Sequence, residues 1–226
     1  MPFWKVLGAA EDKHPRWMDV QVGDKIRAEP TKVRVLAELL KANQSSFAGL
    51  DGIPAKVEPF HLELTSSVPV QDPPRFLPPK KMEFAIKKAA DWLKLGLYRL
   101  SHSPYRAAVV VARKDRGKSF RVCGNYVRLN RISKVEAVVF VRPEEIFSWM
   151  EGREWLWKLD WDSGYMQVPL DEASKPLLAI VIGTLHIEPN VMPFGPSGAP
   201  RHFTNVLARI FADLGIWIRT YFDDCT

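Results

Sequence analysis

Two largely apolar runs that each end in carboxylates restrict this chain more than any other feature. Leu156–Asp160 reads as one strand and closes on Asp160. Ile216–Phe222 reads as another and leads straight into Asp223-Asp224. A carboxylate at the tip of a buried strand is costly unless something cationic neutralises it. Three brought together repel, and a divalent ion is the ordinary remedy. Mg²⁺ favours oxygen ligands of this kind. Two such ions about 3.5–4 Å apart can activate an attacking oxygen and stabilise a leaving one in phosphoryl transfer. Taken alone, each site also has a plainer reading: Asp-Asp as a turn or helix cap, and Asp160 as a surface strand end.

The pattern between and before these sites is a mixture of periods, which predicts an α+β fold. The strongest helical signal opens at Pro200, with Phe203, Val206, Leu207, Ile210, Phe211 and Leu214 along one stripe. A second helix is expected over Lys81–Leu95, with Met82, Ile86, Ala89 and Leu93 inward and Gly96 as its stop. A short helix is expected over Thr31–Lys41, with Val33, Leu36, Leu39 and Leu40 on one side. Ala107–Ala112 and Ser119–Cys123 read as a hairpin turning at 115–118. Further strands are expected at Leu177–Ile182 and Leu185–Ile187, hinged at Gly183-Thr184. Residues 68–80 are proline-rich and should be extended. Residues 1–58 read as a leader or linker of uncertain order, and 59–226 as the folded domain.

Charge is unevenly spread. Residues 101–134 carry nine Lys/Arg and one acid, whereas 144–226 carry twelve acids and six Lys/Arg. A basic stretch followed by an acidic one suits a protein that holds a polyanion in one place and metal ions in another. A solvated basic surface without a partner is the alternative. Two cysteines, Cys123 and Cys225, form no disulfide framework and fit a reducing, intracellular setting. The short apolar start is interrupted by Asp12, Lys13 and His14, and no segment nears the roughly 18 apolar residues of a membrane span.

Six motifs occur in a fixed order. Phe60-His61-Leu62-Glu63-Leu64 leads to Ser101-His102-Ser103-Pro104-Tyr105, then Arg121-Val122-Cys123 with Leu129-Asn130. Leu159-Asp160-Trp161-Asp162-Ser163-Gly164-Tyr165-Met166-Gln167-Val168 follows. Next come Met192-Pro193-Phe194-Gly195 with Ala199-Pro200 and Phe203, and last Tyr221-Phe222-Asp223-Asp224. In order and spacing across 60–224 these resemble the reverse transcriptases of LTR retroelements. Met-Pro-Phe-Gly and Ser-Gly-Tyr are similar to the gypsy type. The resemblance implies the fingers and partial palm of a right-hand polymerase, ending before the thumb, with the return strand after Asp224 missing.

It also implies roles. Asp160, Asp223 and Asp224 would be the catalytic metal carboxylates for two Mg²⁺ ions, with Mn²⁺ as a substitute. Asp223 would be the more direct ligand of the adjacent pair. Lys114 and Arg121 would grip the triphosphate of an incoming dNTP, and Ser163 and Gly164 would offer it backbone N–H groups. Tyr165 would be the gate against a 2′-OH, and Phe194 and Gly195 the floor of the nucleotide pocket. Read without the resemblance, these are solvated hairpin charges, core packing and a turn. The implied partners are an RNA or DNA template with its primer, and dNTP. The implied setting is cytoplasmic, virus-like particles included, and the oligomeric state is left open. The reading of another class is an inactive element remnant that keeps only non-specific nucleic-acid binding; an unstable product with no function is a third. The chain departs from the family pattern at Gly124-Asn125-Tyr126-Val127 (usually V-D-Y-R), 139–143, Pro176, Pro196 and Thr204.

Overall fold

The computed structural model describes residues 20–27, 29–47, 50–114, 119–134, 142–154, 156–215, 217–221 and 224–225. It divides into two compact units, Met1–Asp51 and Gly52–Thr226. The division thus falls before the 58/59 boundary read from the sequence. The first unit contains α1 (Asp24–Arg27), α2 (Pro30–Ala42) and a 3-10 turn at Gln44–Phe47. Helix α2 covers the expected 31–41 segment and buries Val33 and Ala37, but Leu39 of the expected face is exposed.

The second unit is organised by a five-stranded sheet in the order β1-β6-β5-β2-β3. Its strands are β1 (Tyr98–Leu100), β2 (Ala107–Lys114), β3 (Ser119–Gly124), β5 (Ile180–Ile182) and β6 (Leu185–Pro189). The expected hairpin is β2/β3, antiparallel from Val109↔Gly124 to Lys114↔Ser119; its tip, 115–118, lies outside the described residues. β2 also pairs with β5 in parallel, which makes it a central strand. A strand covered on both faces reads as a continuous apolar run. Accordingly Ala107, Ala108, Val109 and Val111 are all buried.

Helix α3 (Pro79–Lys94) packs on this sheet. Phe84 meets Phe120 at 5.4 Å, and Lys81 Nζ donates to Val111 O at 2.8 Å. Its inward face is Ala85, Ala89 and Trp92, whereas Ile86 is exposed, so the expected face is corrected by part of a turn. Alanines let the helix approach closely but give little hydropathy signal. Trp92 completes that face by stacking on Tyr98 at 4.6 Å.

The expected strand over Leu177–Ile182 is also corrected. Pro176–Leu178 is a 3-10 turn, and β5 begins at Ile180. Pro176 stands at the start of that turn, where a missing N–H removes nothing. Ahead of α3, the extended chain is tied down by backbone hydrogen bonds. Ala55 N–H donates to Gln167 O, Phe60 N–H to Pro169 O and Asp72 N–H to Arg106 O, at 2.7, 2.9 and 2.7 Å.

A second sheet holds three strands in the order β4-β8-β7: β4 (Leu159–Asp160), β7 (Thr220–Tyr221) and β8 (Asp224–Cys225). Helix α6 (Ala199–Ile210) packs against β7 and buries Phe203, Val206 and Leu207. Ile210 and Leu214 of the expected stripe are exposed. Two short helices had no forecast, α4 (Val127–Arg131) and α5 (Pro143–Met150).

Candidate active site

The three-stranded sheet brings the two carboxylate-bearing segments together. In the antiparallel β4/β8 pair, Asp160 is the register partner of Asp224, and Leu159 of Cys225. Directly opposed Cα atoms in such a ladder stand about 4.5–5.5 Å apart. β8 pairs with β7 as well, Tyr221 opposite Asp224. A two-residue return strand therefore begins at the last residue of the Tyr-Phe-Asp-Asp motif, contrary to the expectation that it is missing, and β4 is its second partner. Asp223 lies outside the described residues, and for Asp160, Asp224 and Lys114 the description covers the backbone alone. Among the described side chains no group of His, Cys, Asp and Glu forms a metal-sized cluster.

Beyond Asp160 the chain turns sharply. Ser163 takes the left-handed conformation, φ 53°, and opens the 3-10 turn Gly164–Gln167. A non-glycine residue rarely adopts this region, and such strain gathers at functional sites. Gly164 is required by packing. A Cβ there would stand 2.7 Å from Phe203 Cζ and 2.8 Å from Trp161 Cβ. Its N–H donates to Trp161 O at 3.2 Å.

Five of the residues singled out from the sequence form one connected cluster. Tyr165 stacks on Phe194, with ring centroids 5.1 Å apart and 26° between planes. The Arg121 guanidinium lies 5.1 Å from the other member of that pair, Phe194. Gly164 sits beneath Tyr165 through Phe203, whose ring is 5.0 Å from Tyr165. Gly195, at φ 115°, passes so close to Tyr126 that a Cβ would meet its ring at 3.1 Å. Lys114 ends β2, and Arg121 faces Ala112 across the hairpin, so their backbones are two residues apart along the ladder, roughly 7 Å.

Two residues that the sequence reading gave no such role hold the cluster. Asn130 grips the loop after Phe194 at both amide atoms: Nδ2 donates to Gly195 O and Oδ1 accepts from Ser197 N–H, each at 3.0 Å. Tyr126 is buried, and its hydroxyl donates to Leu178 O at 2.9 Å. Burial holds that phenol well above its ordinary pKa, with nearby Tyr98 and Cys123 adding to the shift. The departure to Gly124 fits this ring: a Cβ at Gly124 would fall 2.4 Å from Tyr126. Much of the basic stretch is committed to the scaffold. Arg128 pairs with Asp72 at 2.9 Å, Arg106 Nε donates to Asp72 O at 2.9 Å, and Lys134 pairs with Glu63.

No protein-family model matches the chain. It is 28% identical over 172 residues to the enzymatic polyprotein of Cauliflower mosaic virus (strain Strasbourg), a match over 71% of this chain and 25% of the polyprotein. To the enzymatic polyprotein of Soybean chlorotic mottle virus it is 32% identical over 143 residues, 61% of this chain and 20% of that one. The chain thus spans about a quarter of the length of these relatives. Among solved structures, a foamy viral protease-reverse transcriptase in complex with double-stranded DNA superposes with a TM-score of 0.71 at 16% identity. That match covers 87% of this chain and 35% of the other. Among the described residues no helix is long and apolar enough to cross a membrane. The chain therefore has a reverse-transcriptase fold and is related in sequence to viral enzymatic polyproteins.

Proposed function

We propose that this chain is the nucleotide-binding and metal-binding part of an RNA-directed DNA polymerase. The observation that carries this reading is the register of β4 against β8, which sets Asp160 opposite Asp224, five residues ahead of Tyr165 in the chain. Carboxylates converging on one spot suit hard divalent ions such as Mg²⁺, with Mn²⁺ able to replace them. Asp160, Asp223 and Asp224 would hold the pair. Bound there, the ions would supply charge neutralisation at the α-phosphate and activation of the primer 3′-hydroxyl.

The protein residues perform the positioning. Arg121 stands at the hairpin, and its planar guanidinium can leave the Phe194 ring for a bidentate grip on phosphate oxygens. Lys114 adds a point charge from the same hairpin. The Gly164 N–H is already bonded to Trp161 O at 3.2 Å, so Ser163 is the readier backbone donor to the triphosphate. Tyr165, braced by two rings, stands under the sugar and excludes a 2′-OH. Phe194 and Gly195 floor the pocket on a loop that Asn130 fixes. The partners are a primer on an RNA or DNA template, and dNTP. Met192–Gly195 and Ser163–Tyr165 support a gypsy-type reading, which a tree built with the viral polyproteins would test.

Primer extension with Mg²⁺ tests the function. The chain is assayed as it stands and joined to the part of the Cauliflower mosaic virus enzymatic polyprotein that follows the matched 172 residues. The expected result is extension on RNA and DNA templates by the joined protein, abolished by Asp160→Asn. Extension that survives Asp160→Asn would contradict the reading.

A further inference from the structure

Phe203 belongs to the apolar stripe of α6, and its periodicity marks it as ordinary core. Its surroundings are more specific than that. The ring is 4% exposed and approaches Tyr165 at 5.0 Å, with 59° between the planes. Its Cζ occupies the space that a Cβ on Gly164 would need, at 2.7 Å. The neighbouring ring on Tyr165 is Phe194, stacked at 5.1 Å. Tyr165 is thus braced by two aromatic residues, one from α6 and one from the 192–195 loop. Eight residues further along the chain from Phe203, Phe211 meets Trp161 at 6.1 Å. Eight helical residues rise about 12 Å, and this one segment meets the 161–165 turn at both Trp161 and Tyr165.

Resting on the nucleotide-site reading above, we infer that Phe203 is a positioning residue. It sets the height of the Tyr165 ring under the incoming sugar and thereby the choice between deoxy- and ribonucleotides. The physical ground is the short range of steric repulsion. A gate rejects one hydroxyl only if its ring yields by much less than the size of that hydroxyl. Close-packed rings in low-energy rotamers resist such movement. A tilted aromatic pair such as Tyr165–Phe203 adds an orientation preference that an aliphatic side chain lacks. Leucine at position 203 would keep the site apolar and buried, but would remove the ring edge and open space behind Tyr165.

The test uses the full chain on a primer–template with Ca²⁺ present, so that binding is read without chemistry. dATP and ATP are titrated separately, and the ratio of their dissociation constants is the readout. Wild type is expected to favour dATP. In Phe203→Leu the ratio should fall by about tenfold, the scale of losing one aromatic brace, chiefly through tighter ATP binding. Phe203→Tyr should keep the wild-type ratio. Phe203→Met, close in volume, serves as a second variant should leucine impair folding, and should fall in the same direction. A residue with only a structural role would weaken both nucleotides together and leave the ratio unchanged; that result in the folded variants overturns the inference. A wild type that binds both nucleotides equally would instead overturn the gate reading itself.

Discussion

The two sheets of this protein are built on opposite terms. The five-stranded sheet has an apolar centre: Val109, Ile180, Ile182 and Ile187 are each at most 2% exposed. β2 and β3 pair over six residues, α3 packs on the sheet, and Asp72 of the extended segment bonds to Arg106 just before β2. The three-stranded sheet has strands of two residues each and carries the carboxylate-bearing positions. Leu159 beside Asp160 is 46% exposed, and Trp217 ahead of β7 is 63% exposed. The comparison separates stability from chemistry. One sheet supplies the buried area; the other supplies charged positions and borrows its rigidity from α6 and from the Arg121–Phe194–Tyr165–Phe203 cluster. Functional groups tolerate this only when a rigid scaffold holds them.

The largest expected effect contrasts the two sheets directly. Ile187→Ala, in the buried sheet, should cost about 3 kcal/mol, whereas Leu159→Ala should cost less than about 1 kcal/mol. Urea denaturation of both variants checks this, and comparable losses would break the contrast. Next in size is Gly164→Ala. The added methyl meets Phe203 and Trp161 at 2.7 and 2.8 Å, inside van der Waals contact, and should cost about 2 kcal/mol by overpacking. A thermal melt reads it, and an unchanged melting temperature would mean that the cluster is looser than its contacts imply.

The next prediction concerns acid. His61 Nδ1 lies 2.6 Å from Asp171 Oδ2, while Ser174 N–H donates to Asp171 Oδ1 at 3.0 Å. Burial pushes the Asp171 carboxyl up, but the hydrogen bonds from Ser174 and His61 outweigh it and hold it below the ordinary carboxylate range. A depressed carboxylate contributes stability above its unfolded pKa of about 3.9 and loses it as pH falls through the folded value. Asp171→Asn should therefore be less stable near neutrality by about 1 kcal/mol. Its stability should also fall less steeply than that of wild type below about pH 4. Parallel acid limbs for the two proteins would contradict the role of this pair. The smallest effect is Ser163→Gly. Relief of the left-handed strain, offset by unfolded-chain entropy, should stabilise by about 0.5 kcal/mol. Destabilisation instead would point to a structural role for the serine hydroxyl.

Sequence reasoning was strongest where one residue pattern served one local structure. The β2/β3 hairpin, the three longer helices and the Gly183-Thr184 turn between β5 and β6 all follow from periodicity and turn chemistry. It was weaker where tertiary contacts decide. The inward face of α3 depends on Ala85 and Ala89, whose small side chains carry little hydropathy. β1 is three residues long and takes its identity from pairing with β6. The return strand at Asp224–Cys225 exists because β4, more than sixty residues earlier, offers it an edge. At the candidate site, Arg121, Gly164, Tyr165, Phe194 and Gly195 were legible as motif members. Their bracing by Phe203, Tyr126 and Asn130 was not, since an aromatic in a helical stripe and an amide after a leucine give no sign of what they touch.

Asp160 and the Asp223-Asp224 pair are proposed to form one divalent-metal site. Mn²⁺ titration followed by electron paramagnetic resonance, with primer–template and a non-extendable dNTP present, checks that site. Wild type should take up Mn²⁺, and Asp160→Asn and Asp223→Asn should each reduce that uptake. Asp162→Asn, two residues along the same segment, should leave it unchanged. Uptake that is indifferent to Asp160→Asn and Asp223→Asn, or equally impaired by Asp162→Asn, would contradict the proposed site.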